Sequence, residues 1–187
     1  MELDKLIWEL SQDPFNPEKN FQVALEYERL SQTASAISFF LRTAEYSKED
    51  NSVIVYVSLL KMAHCLADQV DREHSVVHAL LQAVTVCPRR PEAFFLLAQQ
   101  EEWKGHWQEA YTWASLGKNS LETHGYEPLK YDVKYPGDYG IKYELAISSW
   151  WIGRQIESIQ LLEELEGMDL APQYKESVEN NLKLVRG

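Results

Sequence analysis

Residues 93–118 read AFFLLAQQEEWKGHWQEAYTWASLGK. Phe94, Leu97 and Ala98 recur at i, i+3 and i+4, the spacing that puts side chains on one helix face. The pattern stops at Gly105, a residue suited to the left-handed turn that ends many helices. A second stripe follows with Trp107, Ala110, Tyr111 and Ala114. Pro91, just upstream, stands where a first-turn proline is tolerated. The stretch predicts an antiparallel helical hairpin. Its alanines let the two backbones approach closely. Its tryptophans are expected to fill the space between this hairpin and the next.

The same pattern recurs along the chain. A small residue, a turn residue seven later and a small or apolar residue five beyond appear as Ala98/Gly105/Ala110 and again as Ala146/Gly153/Ser158. A first copy is Ala24/Ser31/Ala36, with Tyr27 and Phe40 at matching places. The second copy, His64/Asp71/Val76, rests mostly on its second helix, VVHALLQAVTVCP. The first anchors are 40, 34 and 48 residues apart. One hairpin cannot bury both its faces, so several must stack.

On these residues the chain resembles the tetratricopeptide repeat family, whose period is about 34 residues. The other two spacings are that period with insertions. The resemblance implies an all-α fold, a right-handed superhelix of antiparallel helix hairpins with a concave binding face. The expected organisation is one helical-repeat domain over 1–187, with repeats at 17–47, 52–88, 91–119 and 139–166. Residues 1–13 would form an N-terminal capping helix, with Leu3, Leu6, Ile7 and Leu10 on one face. Residues 172–186 would form a C-terminal one, opened by Pro172. A long connector at 120–138 separates the last two repeats. Its tyrosines are costly to leave exposed together, which predicts that it is ordered and folds back against the groove.

The second half resembles something narrower. Arg90-Pro91-Glu92-Ala93, Ala98, Gly105 and Ala110 are followed by Val133, Tyr135, Tyr143-Glu144, Ala146-Ile147, Trp150 and Gly153, and then by Asn180-Asn181-Leu182. Together they are similar to the helical repeat region that accompanies many family 2 glycosyltransferases and occurs in bacterial, viral and phage proteins. The likeness covers roughly 95 of the 187 residues. The Asp-x-Asp motif of the transferase is not in the sequence, so the resemblance implies a scaffold and no catalytic site.

Composition bounds the function. An apolar share of 45% supports an ordered core. The formal charge of −11 and the lack of any basic run weigh against nucleic acid, which demands Lys/Arg patches. The same charge favours a protein or peptide partner with basic segments. The longest apolar run, VIVYVSLL at 53–60, is too short to span a bilayer. The start MELDKLIWEL has no basic n-region, so a cytoplasmic location is expected. Cys65 and Cys87 make no disulfide framework and read as small buried hydrophobes. His74 and His78 share a helix face, with His64 and Cys65 nearby, but the HExxH glutamate is missing and no metal or other cofactor is expected. No nucleophile, phosphate-loop or dinucleotide motif occurs. The pairs Glu101-Glu102 and Glu163-Glu164 read as solvated helix faces, and no enzyme activity is expected.

The repeat resemblance also implies where a ligand would bind. First-helix positions three before, one after and four or five after each small anchor line the groove in that family. Carried onto this chain they are Phe21, Leu25, Glu28 and Arg29; Lys61, Cys65, Asp68 and Gln69; Phe95, Gln99, Glu102 and Trp103; Tyr143, Ile147, Trp150 and Trp151. The mixture of aromatic and acidic groups suits an extended peptide or a sugar. The basic two-residue clamp with which some members hold a peptide carboxylate is not evident; only Arg29 and Lys61 stand in plausible places for it. Three functions follow: a non-catalytic scaffold or adaptor that binds a protein or peptide, an accessory part of a glycan-modifying system, or a structural protein that forms homo-oligomers through exposed aromatic patches.

Overall fold

The computed structural model describes residues 2–48 and 52–186. Among them lie ten helices: α1 (Glu2–Ser11), α2 (Pro17–Arg29), α3 (Thr33–Tyr46), α4 (Ser52–Ala67), α5 (Glu73–Val86), α6 (Glu92–Trp103), α7 (Trp107–His124), α8 (Asp138–Trp151), α9 (Gln155–Glu166) and α10 (Pro172–Arg186). The fold is all-α, built of antiparallel hairpins that stack in sequence order within each of two units. It divides into two compact units, Met1–Pro88 and Arg89–Gly187.

In the first unit α2 pairs with α3 and α4 with α5, and α3 packs on α4. Asn16 caps α2 by accepting a hydrogen bond from the Lys19 N–H at 3.1 Å, with Pro17 at the first helical position. The core holds Phe21, Ala24, Ala36 and Phe40, with the Phe21 and Phe40 rings 5.9 Å apart. In the second unit α6 pairs with α7 and α8 with α9, while α7 packs on α8 and α9 on α10. Ala98, Ala110, Ala114 and Ala146 are buried where these helices meet, as close backbone approach requires.

The residue seven after each anchor has a left-handed backbone in all four hairpins. Ser31, Asp71, Gly105 and Gly153 have φ of 57°, 58°, 74° and 84°. At three of these turns a pair of bonds closes the helix end: Gln32 N–H to Tyr27 O, His106 N–H to Glu101 O and Arg154 N–H to Ser149 O are the longer-range members. They satisfy carbonyls that the last helical turn leaves unpaired.

Two features differ from the sequence reading. Helix α7 runs on to His124, so the connector is Gly125–Gly137. Gly117 and Ser120 extend its buried face past Ala114, which is why the helix continues. The three tryptophans of the opening stretch have three different roles. Trp107 stacks on Trp151 of the next hairpin at 5.1 Å, Trp113 lies on Phe94 of its own hairpin at 6.4 Å, and Trp103 is 71% exposed.

Candidate binding surface

In the second unit the first helices of the hairpins, α6 and α8, lie side by side. Helix α10 reaches α8 through ring and hydroxyl contacts. Tyr174 meets Tyr143 edge-on at 5.1 Å and Tyr139 at 5.3 Å, and the Tyr143 and Ser177 hydroxyls are 2.6 Å apart. Asn181 donates to the Ser177 carbonyl at 2.9 Å. Beyond it opens a cleft of about 270 Å³, lined mainly by Ile147, Trp150, Trp151, Leu162, Leu184 and Val185. Trp151 is 60% exposed and Leu184 80%. The structure thus brings the expected residues Tyr143, Ile147, Trp150 and Trp151 together along α8, with α10 as the opposite wall.

Gln99 and Glu102 on α6 face Glu144 on α8. Glu144 is only 2% exposed, and its Oε2 is enclosed without a hydrogen-bond partner among the described residues. Burial first, and then the Glu102 carboxyl beside it, hold the Glu144 carboxyl well above the usual carboxylate range. Burial likewise raises the Tyr143 and Tyr174 phenols, and for both the Glu102 and Glu144 charges add to it. Glu144 is not among the expected site residues. A signal for it is present in the sequence: it falls inside the buried stripe Ile141/Glu144/Leu145/Ser148, at i, i+3, i+4 and i+7.

Phe95 sits elsewhere. It is buried, and the connector lies over it, with the Tyr135 ring 5.3 Å away and Tyr126 packed edge-on against Tyr135. Arg90 fastens this segment. It is ion-paired with the fully buried Glu92 and donates to the Glu127 carbonyl at 2.8 Å. Phe95 therefore presents no side-chain surface to a ligand. The connector is ordered against α6, as its tyrosines predict.

In the first unit Phe21 is a core residue, 0% exposed, and Leu25 is half-buried. The Lys61 ammonium donates to both oxygens of Glu28, at 2.8 and 3.1 Å, and ties α4 to α2. Arg29 donates twice to Glu26, at 2.8 and 2.7 Å. The two cations in clamp positions are thus engaged by internal carboxylates. Cys65 is buried and Gln69 half-buried, while Asp68 is exposed just beyond the end of α4.

The acidic pairs behave differently from one another. Glu163 and Glu164 are exposed and bonded by Arg186 and Lys142. Glu101 is half-buried. Burial alone would raise its carboxyl, but hydrogen bonds from His106 and Lys104 outweigh this and hold it below the usual range. Among the described residues no group of three or more His, Cys, Asp or Glu side chains is placed to hold a metal ion. No described helix is long and apolar enough to cross a membrane.

No family model matches the chain, and no curated protein matches it in sequence. Solved structures do match in fold. MamA superposes with a TM-score of 0.60 at 13% identity, over 96% of this chain and 89% of MamA. YrrB, described as a tetratricopeptide protein with an unusual peptide-binding site, gives 0.56 at 14% identity over 88% of this chain and 74% of YrrB. A thermophilic tetratricopeptide protein of Thermus thermophilus, TTC0263, gives 0.53 at 15% identity, over 98% and 88% of the two chains. The fold is that of the tetratricopeptide-like helical repeats.

Proposed function

We propose that this chain is a non-catalytic scaffold or adaptor, and that it holds a protein or peptide on the face that α8 and α10 line in the second unit. The observation that carries this is the open cleft between Trp150, Trp151, Leu184 and Val185. Large apolar side chains left exposed around a concavity mark interaction sites, and tryptophans are frequent anchors there. The likeness in fold to YrrB, whose description names a peptide-binding site, supports the same reading by analogy. An accessory role in glycan modification is the alternative, favoured by the resemblance of residues 90–118 and 132–165 to glycosyltransferase-associated repeats and by the aromatic lining of the cleft.

A displayed library of random 12-residue peptides, panned on the wild-type chain and on a Trp150→Ala/Trp151→Ala variant of matched helicity, tests this. Peptides with apolar anchors retained by wild type and lost by the variant support the reading. Enrichment equal on both proteins, or none on either, overturns it. A glycan array probed with the same two proteins tests the alternative.

A further inference from the structure

The other buried or half-buried acids among the described residues have cationic partners. Glu28 has Lys61, Glu92 has Arg90, and Glu101 has Lys104 and His106. Glu102 and Glu144 break that pattern. No described lysine or arginine forms an ion pair with either. Glu144 is enclosed, its Oε2 has no partner, and its carboxyl neighbour is another acid. A buried carboxylate is costly unless paired, and two side by side are costlier still. One positive charge would relieve both.

The surroundings suit a particular kind of cation. Tyr139 and Tyr143 on α8 and Tyr174 on α10 form a connected set of rings at 5.1–5.3 Å spacings, and Tyr174 lies near both carboxyls. Aromatic faces attract ammonium and guanidinium groups, and do so more strongly where water is excluded. Glu102 is half-exposed, so a cation arriving from solvent meets it first. Acids outnumber lysines and arginines by 29 to 18 over the whole sequence, which draws basic segments toward the surface.

We propose that Glu102 and Glu144, walled by Tyr143 and Tyr174, seat the lysine or arginine head of a basic segment in the bound peptide. This deepens the binding reading above and rests on it. Helix α8 carries both parts: Tyr143 and Glu144 at the acidic seat, and Ile147, Trp150 and Trp151 at the apolar cleft. A ligand lying along α8 would place a basic residue and an apolar anchor in one stretch of chain. Burial favours the protonated Glu144 carboxyl, whereas a cation seated beside it favours the ionised one.

Two measurements test the seat. In the first, four peptide pools share randomised flanks and fix lysine, arginine, glutamate or norleucine at the centre. Their affinities are read by fluorescence polarisation on wild type, Glu102→Gln, Glu144→Gln and Trp150→Ala. The expected result is that the lysine and arginine pools bind wild type about tenfold more tightly than the norleucine pool. That preference should fall to near unity in both glutamine variants, while Trp150→Ala weakens all pools alike. Equal binding of the lysine and norleucine pools to wild type overturns the seat and leaves the cleft reading standing.

In the second, the small probe N-acetyl-lysine methylamide is titrated while the tyrosine ring resonances are followed, beside its uncharged norleucine analogue. Shifts at Tyr143 and Tyr174 for the lysine probe alone, absent in Glu144→Gln and Glu102→Gln, support the seat even if no peptide pool binds. The same spectra with both probes, or none perturbed, mean that the Glu102–Glu144 pair is a proton-sharing structural contact and the proposal fails.

Discussion

The ring of Tyr135 lies edge-on to Phe95, with centroids 5.3 Å apart and planes at 67°. This contact holds the connector on α6. It is reinforced by Tyr126 on Tyr135 and by the Arg90 bond to the Glu127 carbonyl. Tyr135→Ala is expected to cost about 3 kcal/mol, as for other large-to-small changes at packed aromatics. Cleavage within 125–137 by a low dose of protease should quicken by an order of magnitude or so, since local opening sets access to the bond. Tyr135→Phe should behave differently. Its hydroxyl is enclosed without a partner among the described residues, so removing it is neutral or slightly stabilising. A Tyr135→Ala chain cut no faster than wild type would mean that Arg90, not the ring stack, fastens the segment.

The four hairpin turns make a second prediction. Gly105 and Gly153 adopt their left-handed conformations without penalty, whereas Ser31 and Asp71, at φ of 57° and 58°, carry side chains there. Such a conformation costs a residue with a Cβ roughly 1–2 kcal/mol, offset in part by the extra freedom glycine has when unfolded. Ser31→Gly and Asp71→Gly are each expected to raise stability by about 0.5–1 kcal/mol. Denaturant midpoints of the single and double variants would check this, and additive gains are expected because the two turns belong to different hairpins.

Gly117 answers in part why this chain uses so many small residues. A Cβ added there would come within 2.5 Å of Ile141 Cδ1 on α8 and 3.1 Å of Phe94 Cβ on α6. Helix α7 is thus pressed between two helices at a point where even a methyl group does not fit. Gly117→Ala should lower stability by about 1–3 kcal/mol despite alanine's better helix propensity. A melting temperature equal to or above wild type would show that Ile141 rotates aside without cost.

The hairpin turns and the small anchors before them were legible in sequence because they depend on local rules. The spacing of Ala24, Ala98 and Ala146 to Ser31, Gly105 and Gly153 is a property of one helix and its end. What the sequence left hidden depends on which hairpin faces meet which. Phe95 and Phe21 stand at positions where the repeat resemblance implies a groove, yet Tyr135 covers the first and Phe40 packs on the second. Trp103 and Trp107 are four residues apart in one motif, but only Trp107 finds a partner ring, in the next hairpin's Trp151. Glu144 reads as one more helical acid until α6 sets Glu102 against it.

Glu144 gives the sharpest pH prediction. Burial and the neighbouring Glu102 raise its folded pKa well above the ordinary 4.5, so the fold favours the protonated carboxyl. Stability from that preference is complete below the unfolded value and is lost as pH rises through the folded one. The groups that face it are Gln99 and Glu102 from α6, Tyr143 from α8 and Tyr174 from α10. Glu144→Gln imitates the protonated form at every pH. Its melting temperature should match wild type near pH 4 and exceed it increasingly toward pH 8, by a few degrees if the gain is about 1–2 kcal/mol. Glu102→Gln should act in the same direction, and the double variant should gain less than the two singles together because each relieves the same repulsion. A basic ligand works with the opposite sign. It favours the ionised carboxyl, so the affinity of the lysine-centred peptides should rise from pH 5 to pH 8 on wild type and stay flat on Glu144→Gln. A constant melting difference across the range would place Glu144 in one protonation state throughout and remove the basis for that rise.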